Sequence, residues 1–415
     1  MAPYSYDRAI RAIRPPRRCH FWRAGFKNTF ITILLSFIIA LPSFAQAQSE
    51  SCDSGHFTEF KDLMTLANHF KKSEQTDDMV SIFERSLSCA DRIWKTKNTR
   101  LGTLPTYFYN TKTSSVCLWE KDKGCRPNRK ILHDREFQRA VSDLIGYSTF
   151  HFKEQNREVL VLNRSVSDFA QKAKAANQEW IHSLNQKAAR CSPLTSAQTV
   201  PLQAIDIDSV LKDHFMEGFS IHETFHLHQR KWPKRIVHSE KLKSEKETKL
   251  SLANLLTERL SFHLLQYIQN TQSGHTEKAL EHLKFAKGAY VLFKKEAPVI
   301  LSDRDNKNEG TAVFVDAKTQ ALMKLGCDAS KEEVMSKTIQ NVRKLVAIEI
   351  LDPNSPYILS SLASLALALN EKPGWQEEVE RNEKTPLDIL LDDPELAARD
   401  VDLNAAKPLV ECLSN

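Results

Sequence analysis

The chain has 415 residues with 41% hydrophobic content, enough to bury a substantial core, which excludes a disordered or fibrous protein. Only 11 glycines, among long stretches rich in Leu, Ala, Lys, Glu and Gln, exclude the turn-punctuated pattern of an all-β chain; the expected fold is mainly α with a small β-sheet, α+β. Residues 1–47 carry seven Lys/Arg and one Asp, a net +6 that equals the formal charge of the whole chain, so the remainder is neutral and a general nucleic-acid-binding role loses its support.

Residues 1–47 read as a secretory signal: a basic leader from Arg8 to Lys27, the apolar run "FITILLSFIIALPSFA", then Ala45-Gln46-Ala47 before Gln48. The expectation is an exported protein, periplasmic or secreted, with no stable membrane insertion after cleavage near Ala47. An uncleaved anchor and a misplaced start codon are the competing readings, although the apolar run is short for a span.

Residues 48–200 form a helical and small-sheet region. Apolar spacing predicts two helices over 55–96, after which "TLPTYFYNTKTSSVCLW", "YSTFHF" and "REVLVLN" are rich in β-branched and aromatic residues. The pattern is helical from Ser165: 165–190, about 207–231, 240–271 and 275–296. "SDRDNKNEG" (302–310) reads as a polar loop leading into the helix "TAVFVDAKTQALMKL". Two further helices follow in "EEVMSKTIQNVRKLVAIEIL" and "PYILSSLASLALALN", completing a helical region over 201–375. Residues 376–415 read as an acidic, peripheral tail.

Apart from Cys19 there are seven cysteines, an odd number, and none forms C-x-x-C, so a zinc knuckle is not expected. Cys117 with Cys125 can close a short loop, and Cys52 with Cys89 can clip a helix pair.

The chemistry concentrates in "FSIHETFHLHQ" (219–229). His222 and His226 stand at i and i+4, so both imidazoles project from one helical face and can reach one ion. Zinc accepts two such ligands, needs a third, and leaves a fourth position open. Glu223 lies beside His222 and is placed to act as a base toward a metal-activated water rather than as a ligand. Two glutamates are candidates for the third ligand: Glu309 in "NEGTAVFVD" and Glu258 in "LLTERLSFHLL".

The pair "HETFH" and "NEGTAVFVD" resembles the gluzincin branch of the zincin metallopeptidases, in which an HExxH helix is followed by a helix opening N-E-G-x-A-x-(aromatic)-x-(acid). The resemblance implies a zincin-like architecture, zinc held by His222, His226 and Glu309, Glu223 as general base, and peptides or proteins as substrates. Gly310 would permit close approach of the helix start. More than eighty residues separate His226 from Glu309, more than is usual in that family, and an inserted helical hairpin over 240–296 accounts for the excess. Glu258, on that hairpin, stands where other gluzincins place their ligand, so both glutamates stay open.

His228 is two positions past His226 and reads as a surface or substrate-facing histidine, and His263 as a core or interface histidine. Tyr357 reads as structural, and Asp316 is a candidate to hold a ligating histidine. No G-x-S-x-G elbow and no Walker or dinucleotide pattern is present. The expected function is an exported zinc-dependent peptidase. The alternative is a non-catalytic envelope binding or scaffold protein with a structural zinc site.

Overall fold

A computed structural model describes residues 78–97, 101–152, 157–191, 214–233, 239–301, 304–349 and 357–414. The leader, the helix expected near 55–70, Cys52 and the first turns of the helix expected over about 207–231 lie outside these residues.

After the short helices α1 (Met79–Leu87) and α2 (Ala90–Ile93), the chain forms β1 (Thr106–Asn110), β2 (Ser115–Glu120) and β3 (Gly124–Pro127). Helix α3 (Arg135–Val141) then leads into β4 (Tyr147–Phe152) and β5 (Arg157–Asn163). The strands make one mixed sheet in the order β3-β2-β1-β5-β4, with only β1 and β5 parallel.

Strand alternation sorts the side chains into two layers. Val159, Val161, Tyr107, Val116 and Phe150 pack with Phe137 of α3 on one face. Leu160, Leu162, Phe108 and Trp119 join the main core on the other. Tyr147 is at odd register in β4 and therefore also faces the main core.

That core is filled by the helices α4 (Val166–Cys191), α5 (Phe215–Gln229), α6 (Ser239–Gln272), α7 (Thr276–Glu296) and α8 (Pro298–Leu301). They are followed by α9 (Arg304–Leu325), α10 (Lys331–Glu349), α11 (Tyr357–Leu369), α12 (Trp375–Arg381), α13 (Pro386–Leu391) and α14 (Lys407–Ser414). The molecule is thus mainly α with one small five-stranded sheet. Among the described residues no helix is long and apolar enough to cross a membrane.

The fold departs from the sequence expectation in three places. Residues 304–310 are helical, not loop: α9 starts at Arg304 because its polar first turns find partners elsewhere, Lys307 Nζ donating to the Asn382 carbonyl (2.8 Å) and the Asn308 carbonyl accepting from Gln229 (2.7 Å). The segment 376–415 is not peripheral, since Val379, Leu387 and Leu391 are buried in the main core and Cys412 is disulfide-bonded to Cys191. Cys89 pairs with Cys327, which rules out the Cys52–Cys89 bridge; Cys117–Cys125 forms as expected, across the β2–β3 hairpin.

Candidate metal centre

Helix α5 is buried along its whole length except at His226, which is half-buried. A helix enclosed on all sides must satisfy its polar groups internally. Ser220 and Thr224 do so by back-bonding to the carbonyls of Glu217 (2.9 Å) and Ser220 (2.8 Å). The helix starts after His214, a left-handed residue (φ 60°) whose Nδ1 lies 3.0 Å from Glu217 Oε1, and Arg85 of α1 pairs with the same oxygen at 2.6 Å.

Helices α5 and α9 pack antiparallel. Gln229 meets Asn308 and Thr311, the two motif histidines meet Glu309, and Gly218 meets Asp316. Gly218 makes the last contact possible, because a Cβ there would come within 1.9 Å of Asp316 Oδ1. On its far side α9 presses Gly310 against α11, where a Cβ would come within 2.4 Å of Ser360 Cβ and 2.6 Å of the Tyr357 carbonyl. Two glycines on facing helices thus set how deeply Glu309 sits.

The structure brings His222, His226 and Glu309 together as one group able to hold a metal ion. The two Nε2 atoms are 3.0 Å apart, and Glu309 Oε2 lies 3.5 Å from that of His222 and 3.3 Å from that of His226. A tetrahedral site with bonds of about 2.0–2.1 Å has edges of about 3.3–3.4 Å, so this donor triangle is close to one tetrahedral face. The residues present therefore fit a metal of that size. His222 is fully enclosed, whereas the His226 and Glu309 side chains keep 20% and 15% exposure, so the open side of the triangle lies toward them.

Glu258 is not part of the group. It sits on α6, which packs on α7 and α11 while α5 and α9 pack on each other, and its carboxylate lies 3.4 Å from Arg259 Nε. Asp316 holds neither histidine: Gln320 donates to one of its oxygens, and the other has no hydrogen-bond partner. His226 is oriented instead by Gln229, whose Oε1 lies 2.7 Å from Nδ1.

Burial pulls His222 down to about 4, outweighing the opposing pull of Glu309. It works the same way on His226, but there Glu309, Glu223 and Gln229 prevail and lift the imidazole to about 9. Glu309 is held well below the ordinary carboxylate range by the two histidines despite its burial. Glu223 is only 1% exposed, and burial lifts its carboxyl well above the ordinary range despite the Tyr147 hydroxyl beside it. Tyr147 reaches the same carboxyl from β4: its ring packs on Phe219, and burial followed by the charges of Glu223 and Glu309 pushes its phenol up.

His228 is a buried histidine, not a surface one. Its Nε2 lies 2.8 Å from Glu380 Oε1, and its ring packs between Phe225 and Trp232. His263 is a core histidine as expected, 3.1 Å from His282 and stacked on Phe285.

Sequence reasoning missed Tyr147 and Gln229. Gln229 stands at i+3 from His226, a spacing that marks neighbours on a helix surface; Tyr147 is 75 residues upstream of His222 and carries no local signal beyond strand alternation. Compared with models of protein families, with curated proteins and with solved structures, the chain matches none.

Proposed function

We propose that the protein is a zinc-dependent hydrolase acting on peptide bonds, with a zincin-like architecture. The observation that carries this reading is the donor triangle of His222, His226 and Glu309 with the buried carboxyl of Glu223 beside His222 on the same helix. Zinc bound by these three residues supplies Lewis acidity toward a carbonyl and lowers the pKa of its water toward about 7. Glu223 is the group that takes and returns a proton: it is enclosed, and burial raises its affinity for that proton. Tyr147, facing the same carboxyl from the sheet, orients it. Export to an oxidising compartment is supported by the three disulfides and by the leader's composition.

A second reading rests on the enclosure of His222 and Glu223: a metal held for structure alone, in a scaffold protein. The two diverge on Glu223→Gln. Metal analysis of the purified protein should find about one zinc per chain, retained in this variant, and a mixed peptide library should be cleaved by the native protein alone. Equal inactivity with zinc present in both favours the scaffold; absence of zinc from the native protein removes both readings.

A further inference from the structure

Gln229 is buried, and its amide ties together both halves of the metal group. Nε2 lies 2.7 Å from the Asn308 carbonyl and 2.6 Å from Thr311 Oγ1, while Oε1 lies 2.7 Å from His226 Nδ1. These contacts leave one arrangement. A carbonyl oxygen can only accept, so the amide NH2 must face Asn308, which puts the amide oxygen against the imidazole. An amide oxygen also only accepts, so His226 Nδ1 must carry a proton and donate it. A metal ion takes the neutral ring, and the lone pair of that form is then confined to Nε2, the nitrogen 3.3 Å from Glu309 and 3.0 Å from His222.

We infer that Gln229 is the positioning residue of the metal centre. It fixes the His226 tautomer and ring plane, and through Asn308 and Thr311 it fixes the register of α9 that brings Glu309 opposite. The inference rests on the metal reading above and deepens it. Thr311 is itself held, its hydroxyl donating to the Lys307 carbonyl at 2.8 Å, so the anchor for the amide is rigid. Ligating histidines generally donate their second ring N–H to an oxygen, and losing that partner typically lowers metal affinity about ten- to a hundredfold. Here the oxygen comes from an amide one turn along the same helix and not from an acid, so the centre gains orientation with no further negative charge.

The test is zinc affinity by chelator competition, with the visible spectrum of the cobalt-substituted protein, on the native chain, Gln229→Met and Gln229→Glu. Methionine keeps the volume and removes the acceptor, whereas glutamate keeps an oxygen facing Nδ1–H. The expected result is a ten- to hundredfold weaker zinc complex with an altered cobalt spectrum for Gln229→Met, and a smaller loss, under about tenfold, with the native cobalt spectrum for Gln229→Glu, which keeps the acceptor for Nδ1–H but loses the donor to Asn308. If Gln229→Met does not fold, Gln229→Asn, which withdraws the oxygen by one methylene, carries the same expectation of loss. Native affinity and spectrum in the acceptor-free variant, or equal weakening of both variants at equal melting temperature, would overturn the assignment while leaving the metal reading intact. A native protein that takes up neither zinc nor cobalt overturns both.

Discussion

His228 Nε2 lies 2.8 Å from Glu380 Oε1, joining the last turn of the motif helix α5 to α12, some 150 residues later in the chain. The same oxygen accepts from Trp94 Nε1 at 2.9 Å and Thr96 Oγ1 at 2.7 Å. Burial opposes its charge, but these three donors hold the Glu380 carboxyl below its ordinary value. Glu380→Ala removes a shared acceptor from a buried polar cluster, a change that typically costs about 2–4 kcal/mol. Urea denaturation should show that loss in the metal-free protein, while the folded variant keeps the metal content of the native protein. A shift below about 0.5 kcal/mol would mean that solvent replaces the carboxylate.

Glu309→Gln and Glu258→Gln should separate cleanly in metal content. Glu309 is the third donor of the triangle, so its variant should lose at least a hundredfold in zinc affinity and emerge from dialysis metal-free. Glu258 contacts Arg259 on α6 and lies outside the group, so its variant should retain about one zinc per chain. The reverse pattern in metal analysis would move the site to α6.

These two glutamates show where the sequence stops being informative. His222, Glu223 and His226 are legible because helical spacing alone makes them neighbours, and the spacing of Gln229 carried the same signal, which the sequence reading missed. The third member of the group is not, because it depends on which helix packs on α5, and that is decided by Gly218 and Gly310, whose missing side chains admit Asp316 on one side and Ser360 on the other. The helical start of α9 was hidden for a related reason: Lys307 and Asn308 look like loop residues until Asn382 and Gln229 are seen to pair with them. The Cys117–Cys125 bridge spans eight residues of a hairpin, whereas Cys89–Cys327 spans 238 and has no local trace.

Tyr147→Phe should preserve the ring contact with Phe219 (centroids 6.0 Å apart) and remove only the hydroxyl facing Glu223. If peptide hydrolysis proceeds as proposed, kcat should fall about ten- to a hundredfold, with metal content and melting temperature within error of native. Steady-state kinetics on a cleaved library peptide provide the measurement. An unchanged kcat would leave Tyr147 as a packing residue only.

Acid sensitivity should trace in part to His263 on α6, whose ring partners are His282, Phe262 and Phe285. Burial is the main cause, with the neighbouring charges of Arg259 and His282, of its fall from 6.5 to about 3. The folded state therefore favours the neutral ring. Between pH 6.5 and about 3 the unfolded chain binds a proton that the folded one does not, so this contribution to stability is complete above 6.5 and is lost as the pH falls. One such group gives a slope of at most about 1.4 kcal/mol per pH unit. His263→Leu suits the site, since the ring lies on Phe285 beside Phe262, and it removes the titrating group. Urea midpoints between pH 7 and 5 should fall less steeply in the variant than in the native protein. Some acid sensitivity should persist, because His282 is also lowered, chiefly by burial. Parallel profiles for the two proteins would show that His263 takes up its proton in the folded state as readily as in the unfolded one.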